Sequence, residues 1–217
     1  MKLDQRTLQV LKNFSSINPS ILFKPGNVIT TITPTKTIFA KATLEQEFPS
    51  QFAIYDLSKL LSVLSLFDDP ELSIGDKSLQ ISSGRKKVNY VFADVNSIVV
   101  PKSDSINFPP SDVTFELTSE VLSGVTKALG VLRQPEIAIV GDGSVVSVQT
   151  VNSKDPTSDS YAVEVGDTDK NFTVYFKAEN IRLLPDTYTV DITPVISRFK
   201  SKDLEYYVAV EANSKFN

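Results

Sequence analysis

Asp68-Asp69 and the pair Asp167 and Asp169 bring carboxylates close enough along the chain to be weighed as ligands for a hard cation. Both pairs stand in turn-like sequence, where aspartate is favoured for local hydrogen bonds, so no metal site is expected. Gly141-Asp142-Gly143 is too sparse for a phosphate-cradling loop, because no Lys-Ser/Thr and no helix follow it. The chain contains no His, Cys or Trp. That removes the thiolate nucleophile, the Ser-His-Asp relay and the ordinary zinc site, and leaves carboxylates, Lys, Tyr and Ser with no convergent acid pair. Neither an enzyme nor a cofactor is expected. What remains is positive charge, scattered as single Lys and Arg residues among Ser, Thr, Gln and Asn on the polar sides of amphipathic segments. Such surfaces suit nonspecific approach to a phosphate backbone without reading bases.

Four segments must carry these side chains. Residues 52–67, FAIYDLSKLLSVLSLF, predict a short strand leading through Asp56, the natural N-cap, into a helix. Its apolar face is Leu57, Leu60, Leu61, Leu64 and Phe67, and its polar stripe Ser58, Ser62 and Ser65. Asp4 is placed to cap a first helix reaching about Phe14, with Leu8, Val10, Leu11 and Phe14 opposite Gln5, Arg6, Gln9, Lys12 and Asn13. Thr118 is placed to cap a third, reaching Leu129, with Ser119, Glu120, Ser123, Thr126 and Lys127 on its polar arc. A fourth, shorter helix is expected from about Ala178 to Leu184, stopped by Pro185. Starts at 4, 56, 118 and 178 lie 52, 62 and 60 residues apart, the mark of a supersecondary repeat of strand, helix and about three strands.

Strand-like runs fill the intervals, at 21–23, 28–33, 37–43, 71–74, 79–82 and 86–92, then at 113–117, 136–140, 145–151, 161–165, 172–176, 187–192, 195–199 and 204–210. Residues 96–111 hold three prolines with Ser and Asp and no sustained period, and read as a connector between domains at 1–95 and 112–217. The implied class is α+β, two similar domains of antiparallel sheets with helices on one side. Residues 1–111 carry a net charge of +2 and the remainder −6, so any nucleic-acid contact must be local. No apolar run approaches the roughly 20 residues of a membrane span, and charges occupy the N-terminus where a signal peptide is apolar. A soluble intracellular protein without a membrane partner is expected.

The segments MKL, LKNF with INPSI, AIYDLSKLLSVLSLF and YVAVEANS resemble the sliding clamps of T-even-type bacteriophages, and the similarity runs over nearly the whole chain. The resemblance implies a DNA clamp fold with antiparallel sheets outside and helices lining a central channel. It implies a homotrimeric ring around double-stranded DNA in the cytoplasm of an infected bacterial host. It further implies service to a replicative DNA polymerase, loading by an ATP-dependent clamp loader, and support of late viral transcription through sigma and coactivator factors. Arg6, Lys12, Lys59, Lys127 and Arg182 would then line the DNA channel. Arg85, Lys86, Lys87, Tyr90 and Phe92 on one edge strand, and Tyr161, Val163 and Glu164 on another, would meet across the subunit interface, although basic edge residues also discourage aggregation. Ile98, Val99, Val100 and Phe108, with Tyr207, Ala209 and Val210, would form an apolar pocket for partner peptides, or else seal the seam between domains.

Rival readings make different demands. A virion structural protein would assemble without binding a polymerase. A single-strand binder would place exposed aromatics between basic residues, whereas the Phe and Tyr residues here fall mostly on core positions.

Overall fold

Asp4 starts the chain's first helix by local chemistry. Its carboxylate accepts hydrogen bonds from the Thr7 N–H (2.6 Å) and hydroxyl (3.0 Å), engaging one of the donors that a helix start leaves unpaired. In this computed structural model, which describes residues 1–111 and 113–216, the helix that follows is α1, Gln5–Ile17. It buries Val10, Leu11, Phe14 and Ile17, and ends where the Asn18 N–H donates to the Phe14 carbonyl. The chain then forms β1 (Ile21–Phe23), β2 (Gly26–Ile32), β3 (Ile38–Phe48) and β4 (Phe52–Ile54), pairing β2 with β3 and β1 with β4, all antiparallel. Asp56 caps α2, Leu57–Leu64, accepting from the Lys59 N–H at 2.8 Å. The sheet β5 (Glu71–Ile74), β6 (Ser78–Ser83) and β7 (Lys86–Val91) follows in chain order. All of this lies within one compact unit, Met1–Ile106, whose aromatic cluster stacks Phe23 on Phe52 at 4.5 Å and Phe52 on Phe92 at 5.0 Å.

The second unit, Asn107–Asn217, opens with β8 (Val113–Leu117) and α3 (Ser119–Leu132), whose N-cap Thr118 accepts from the Val121 N–H at 3.3 Å. Next come β9 (Glu136–Asp142), β10 (Val145–Val151), β11 (Tyr161–Asp167) and β12 (Asn171–Lys177). The unit is completed by β13 (Tyr188–Ile192), β14 (Ile196–Lys200), β15 (Leu204–Ala209) and β16 (Lys215–Phe216). Within the unit the strands order as β11-β10-β9-β12-β16 and as β15-β14-β13-β8. Alternation sets the core: Val113, Phe115 and Leu117 point inward from β8, and Leu204, Tyr206 and Val208 from β15.

The fourth repeat departs from expectation. Where a helix was predicted over 178–184 there is a single 3-10 turn, Ala178–Asn180, and the following residues run without helix to Pro185. Two causes act together. Pro185 disfavours a helical Leu184, leaving too few residues to nucleate a stable helix. Two fully buried tyrosines, packed edge-on at 6.0 Å, also hold Leu184 from outside: the Tyr188 hydroxyl donates to its carbonyl, and its N–H donates to the Tyr206 oxygen at 3.3 Å. Arg182 therefore stands on no helix.

α3 carries two glycines, Gly124 and Gly130, in different surroundings. A Cβ on Gly124 would meet the Tyr161 hydroxyl at 3.3 Å, whereas one on Gly130 would meet nothing within 4 Å. Gly130→Ala is expected to stabilise the protein by about 0.5–1 kcal/mol in urea unfolding, since alanine restricts the unfolded chain at no steric cost.

Candidate nucleic-acid and partner interfaces

The polar helix faces are short-sided, and many of their hydroxyls are already engaged. Ser16 Oγ donates to the Asn13 carbonyl (2.6 Å), Ser62 to Ser58 (2.9 Å), Ser65 to Ser62 (2.7 Å) and Thr126 to Leu122 (2.7 Å). Each hydroxyl turns its proton back to its own helix and offers lone pairs outward. Lys12, Lys59 and Lys127 stand exposed on α1, α2 and α3, and Arg6 is half-buried on α1. Arg182 lies apart, its Nε donating to the Glu179 carbonyl at 2.7 Å. Among the described residues no group of three or more acidic, His or Cys residues is arranged to hold a metal, and Asp69 is ion-paired with Lys2. Asp142 serves its own hairpin, where hydrogen bonds from the Val145 and Ser144 N–H groups hold its carboxylate below the usual range.

The outer strands differ in how their side chains are used. Among the described residues β7 has one hydrogen-bonded neighbour, β6, and β11 has one, β10. Arg85, Lys86 and Lys87 are exposed, as is Val91 (67%). Tyr90 and Phe92 turn inward, Phe92 onto Phe52 and the Tyr90 hydroxyl onto the Asp56 carbonyl (2.9 Å), where burial and then Asp56 push its pKa up. On β11, Tyr161 and Glu164 are exposed and Val163 half-buried, and the Tyr161 hydroxyl comes close to Gly124 of α3.

The connector residues are fastened in ways the sequence did not announce. In the first unit Ile98 and Val100 are half-buried and Val99 exposed, and the Val99 carbonyl accepts from Asn18 Nδ2 at 3.0 Å. Asn18, itself buried, also donates to the Ile32 carbonyl and accepts from the N–H and hydroxyl of Ser20, so all its polar capacity is used. Lys24 grips Asp104 at 2.8 and 2.9 Å. In the second unit Phe108 packs on Tyr207 (5.9 Å between centroids) and lies 5.0 Å from the Arg198 guanidinium. Ala209 and Val210 are half-buried, and the Val210 N–H donates to the Val195 carbonyl. Asn18 was missed because Ile32 and Val99 lie 14 and 81 residues along the chain, its local hint being an Asn after a helix in the INPSI segment. The Asp191–Arg198 ion pair (2.7 Å), only 7 residues apart, was missed because it needs the β13–β14 register.

Comparison with known proteins supplies the family. Residues 2–100 match the family described as DNA polymerase processivity factor, and residues 114–212 that described as gp45 sliding clamp, C terminal. The sliding clamp of Vibrio phage KVP40 is 32% identical, covering 98% of this chain and 100% of the relative. That of Escherichia phage RB69 is 33% identical, covering 99% and 98%. Among solved structures, proliferating cellular nuclear antigen from Entamoeba histolytica superposes with a TM-score of 0.70 at 16% identity, covering 94% of each chain, which identifies the α+β DNA clamp fold. Two family matches in sequence along one chain, and relatives matched from end to end, establish that the chain belongs to the phage sliding-clamp family of DNA polymerase processivity factors.

Proposed function

We propose that this chain is a sliding clamp: a homotrimeric ring, opened and loaded by an ATP-dependent clamp loader, that encircles double-stranded DNA and tethers the replicative polymerase. The carrying observation is the make-up of the helix faces. Single cations, Lys12 on α1, which also carries Arg6, Lys59 on α2 and Lys127 on α3, stand among Ser and Thr hydroxyls whose protons are turned inward. Such a face attracts phosphates through a few charges and grips none of them, so retention rests on enclosure and not on affinity. The ring catalyses no reaction of its own. Closure uses the free edges of β7 and β11, the basic Arg85-Lys86-Lys87 triplet meeting Glu164, Asp167 and Asp169. The site of action is the cytoplasm of the infected host, where the same ring supports late viral transcription through its sigma and coactivator factors.

The test is primer extension by the cognate polymerase on primed circular DNA with loader and ATP, repeated on linearised template. Longer products that require loader and ATP, and that are lost on free-ended DNA, are expected. Equal product lengths with and without the chain would overturn the reading and favour a virion structural protein.

A further inference from the structure

In the second unit the outer edge of β11 is straight over a short stretch only. Pairing with β10 is regular from Thr150 opposite Tyr161 to Ser147 opposite Glu164. Val165 is then an extra residue, and Gly166 lies opposite Val146. A bulge bends and twists the strand that carries it, so a joining strand finds residues 161–164 in line and little beyond. The Tyr161 N–H donates to Thr150 Oγ1 on β10 at 3.2 Å. Backbone groups alternate in direction along a strand, so those of Ala162 and Glu164 face outward and are the ones on offer.

With so short an edge, the place where it begins matters, and α3 and the residues after it hold that place. Gln134, buried just past the helix, donates from Nε2 to the Asp159 carbonyl at 2.5 Å. Two residues on, the Tyr161 hydroxyl rests against the helix at Gly124, where a Cβ would stand 3.3 Å from the oxygen. Glycine is a poor choice inside a helix unless its missing side chain makes room for something. At Gly124 it makes room for Tyr161; at Gly130 nothing lies within 4 Å.

We propose that Gly124 is a positioning residue for ring closure: it leaves a notch on α3 that receives the Tyr161 hydroxyl and so sets the first residue of the edge that a second copy joins. This rests on the clamp reading, with β11 as the joining edge. A methyl group at 124 forces its neighbour to give by a few tenths of an ångström. Thr150 and Gln134 hold the backbone around Tyr161, so the ring tilts off the helix and the edge loses its alignment where it starts.

The experiment measures self-assembly of the full-length chain by sedimentation equilibrium. It compares the unaltered protein with Gly124→Ala, Tyr161→Phe, the double variant and Gly130→Ala. Both alanines raise helix propensity alike, so Gly130→Ala, expected to assemble within about twofold of the unaltered protein, separates that gain from the notch. Gly124→Ala is expected to need about tenfold more protein for half-assembly. Tyr161→Phe removes the oxygen that the new methyl meets, so adding Gly124→Ala to it should weaken assembly less than about twofold. A role confined to the packing of α3 would give no such rescue. Assembly of Gly124→Ala equal to that of the unaltered chain, or an undiminished loss in the Tyr161→Phe background, would overturn the proposal and leave the clamp reading standing. If Gly124→Ala does not fold, the double variant decides: assembly like Tyr161→Phe supports the notch, and failure of both overturns it. An unaltered chain that stays monomeric at every concentration refutes the ring itself, and the proposal falls with it.

Discussion

Phe14→Ala is expected to cost about 3–5 kcal/mol of stability in urea unfolding of the intact chain. Phe14 is fully buried on α1, and its carbonyl receives the Asn18 N–H that ends the helix. Deleting the ring leaves a cavity beside Val10, Leu11 and Ile17, all buried on the same helix, which cannot close without moving the backbone. The cost does not stop at the core. Asn18 holds Val99 from the residue that terminates α1, so loosening the last turn also loosens the connector. Phe14→Leu keeps most of the volume and should lose much less. A loss below about 1 kcal/mol for the alanine variant would show that the helix settles into the vacated space, against the close packing argued here.

Gly141→Ala is the second large effect, about 2–3 kcal/mol, and works by crowding instead of emptying. Gly141 lies opposite Phe172 in the β9–β12 ladder, and the Phe172 ring crosses the place where a side chain would stand. A Cβ there would fall 2.3 Å from Phe172 Cε1 and 2.8 Å from the Lys170 carbonyl. The backbone oxygen cannot retreat, so the ring must swing away and break its stack on Phe216, at 5.2 Å, which packs β16 against β12. Beyond the stability loss, ring–ring NOEs between Phe172 and Phe216 should vanish while those within the β13–β14 hairpin persist. Retention of the Phe172–Phe216 contact at full stability would refute this account.

Local chemistry was legible in the sequence, and long-range chemistry was not. Asp4, Asp56 and Thr118 announced three helices because a cap bonds to a residue three places on. The fourth helix was overestimated because Pro185 cuts it shorter than its pattern suggests, and because Tyr206, 22 residues further on, reaches Leu184 through the fold, which no periodicity encodes. β3 extends to Phe48, past the predicted end at 43, although its alternation of Leu44, Glu45, Gln46, Glu47 and Phe48 was present to be read. β16 escaped because Lys215-Phe216 is too short to show a period, and Phe172 supplies its reason to pair. The same division governs the candidate sites. The exposed lysines of the helix faces could be placed from spacing, whereas the Asp191–Arg198 ion pair needs two strands brought into register.

If, as proposed, the polar faces of α1, α2 and α3 line a DNA channel, their inward-turned hydroxyls also bear on motion along DNA. A phosphate passing such a face meets oxygen lone pairs, which it cannot accept a bond from, so water must bridge the two. Water bridges re-form as the partners shift, so such a surface would act as a lubricated bearing with low friction. One-dimensional diffusion of a loaded ring should then be set by the few lysines, quickening as salt screens them and hardly responding to Ser62→Ala.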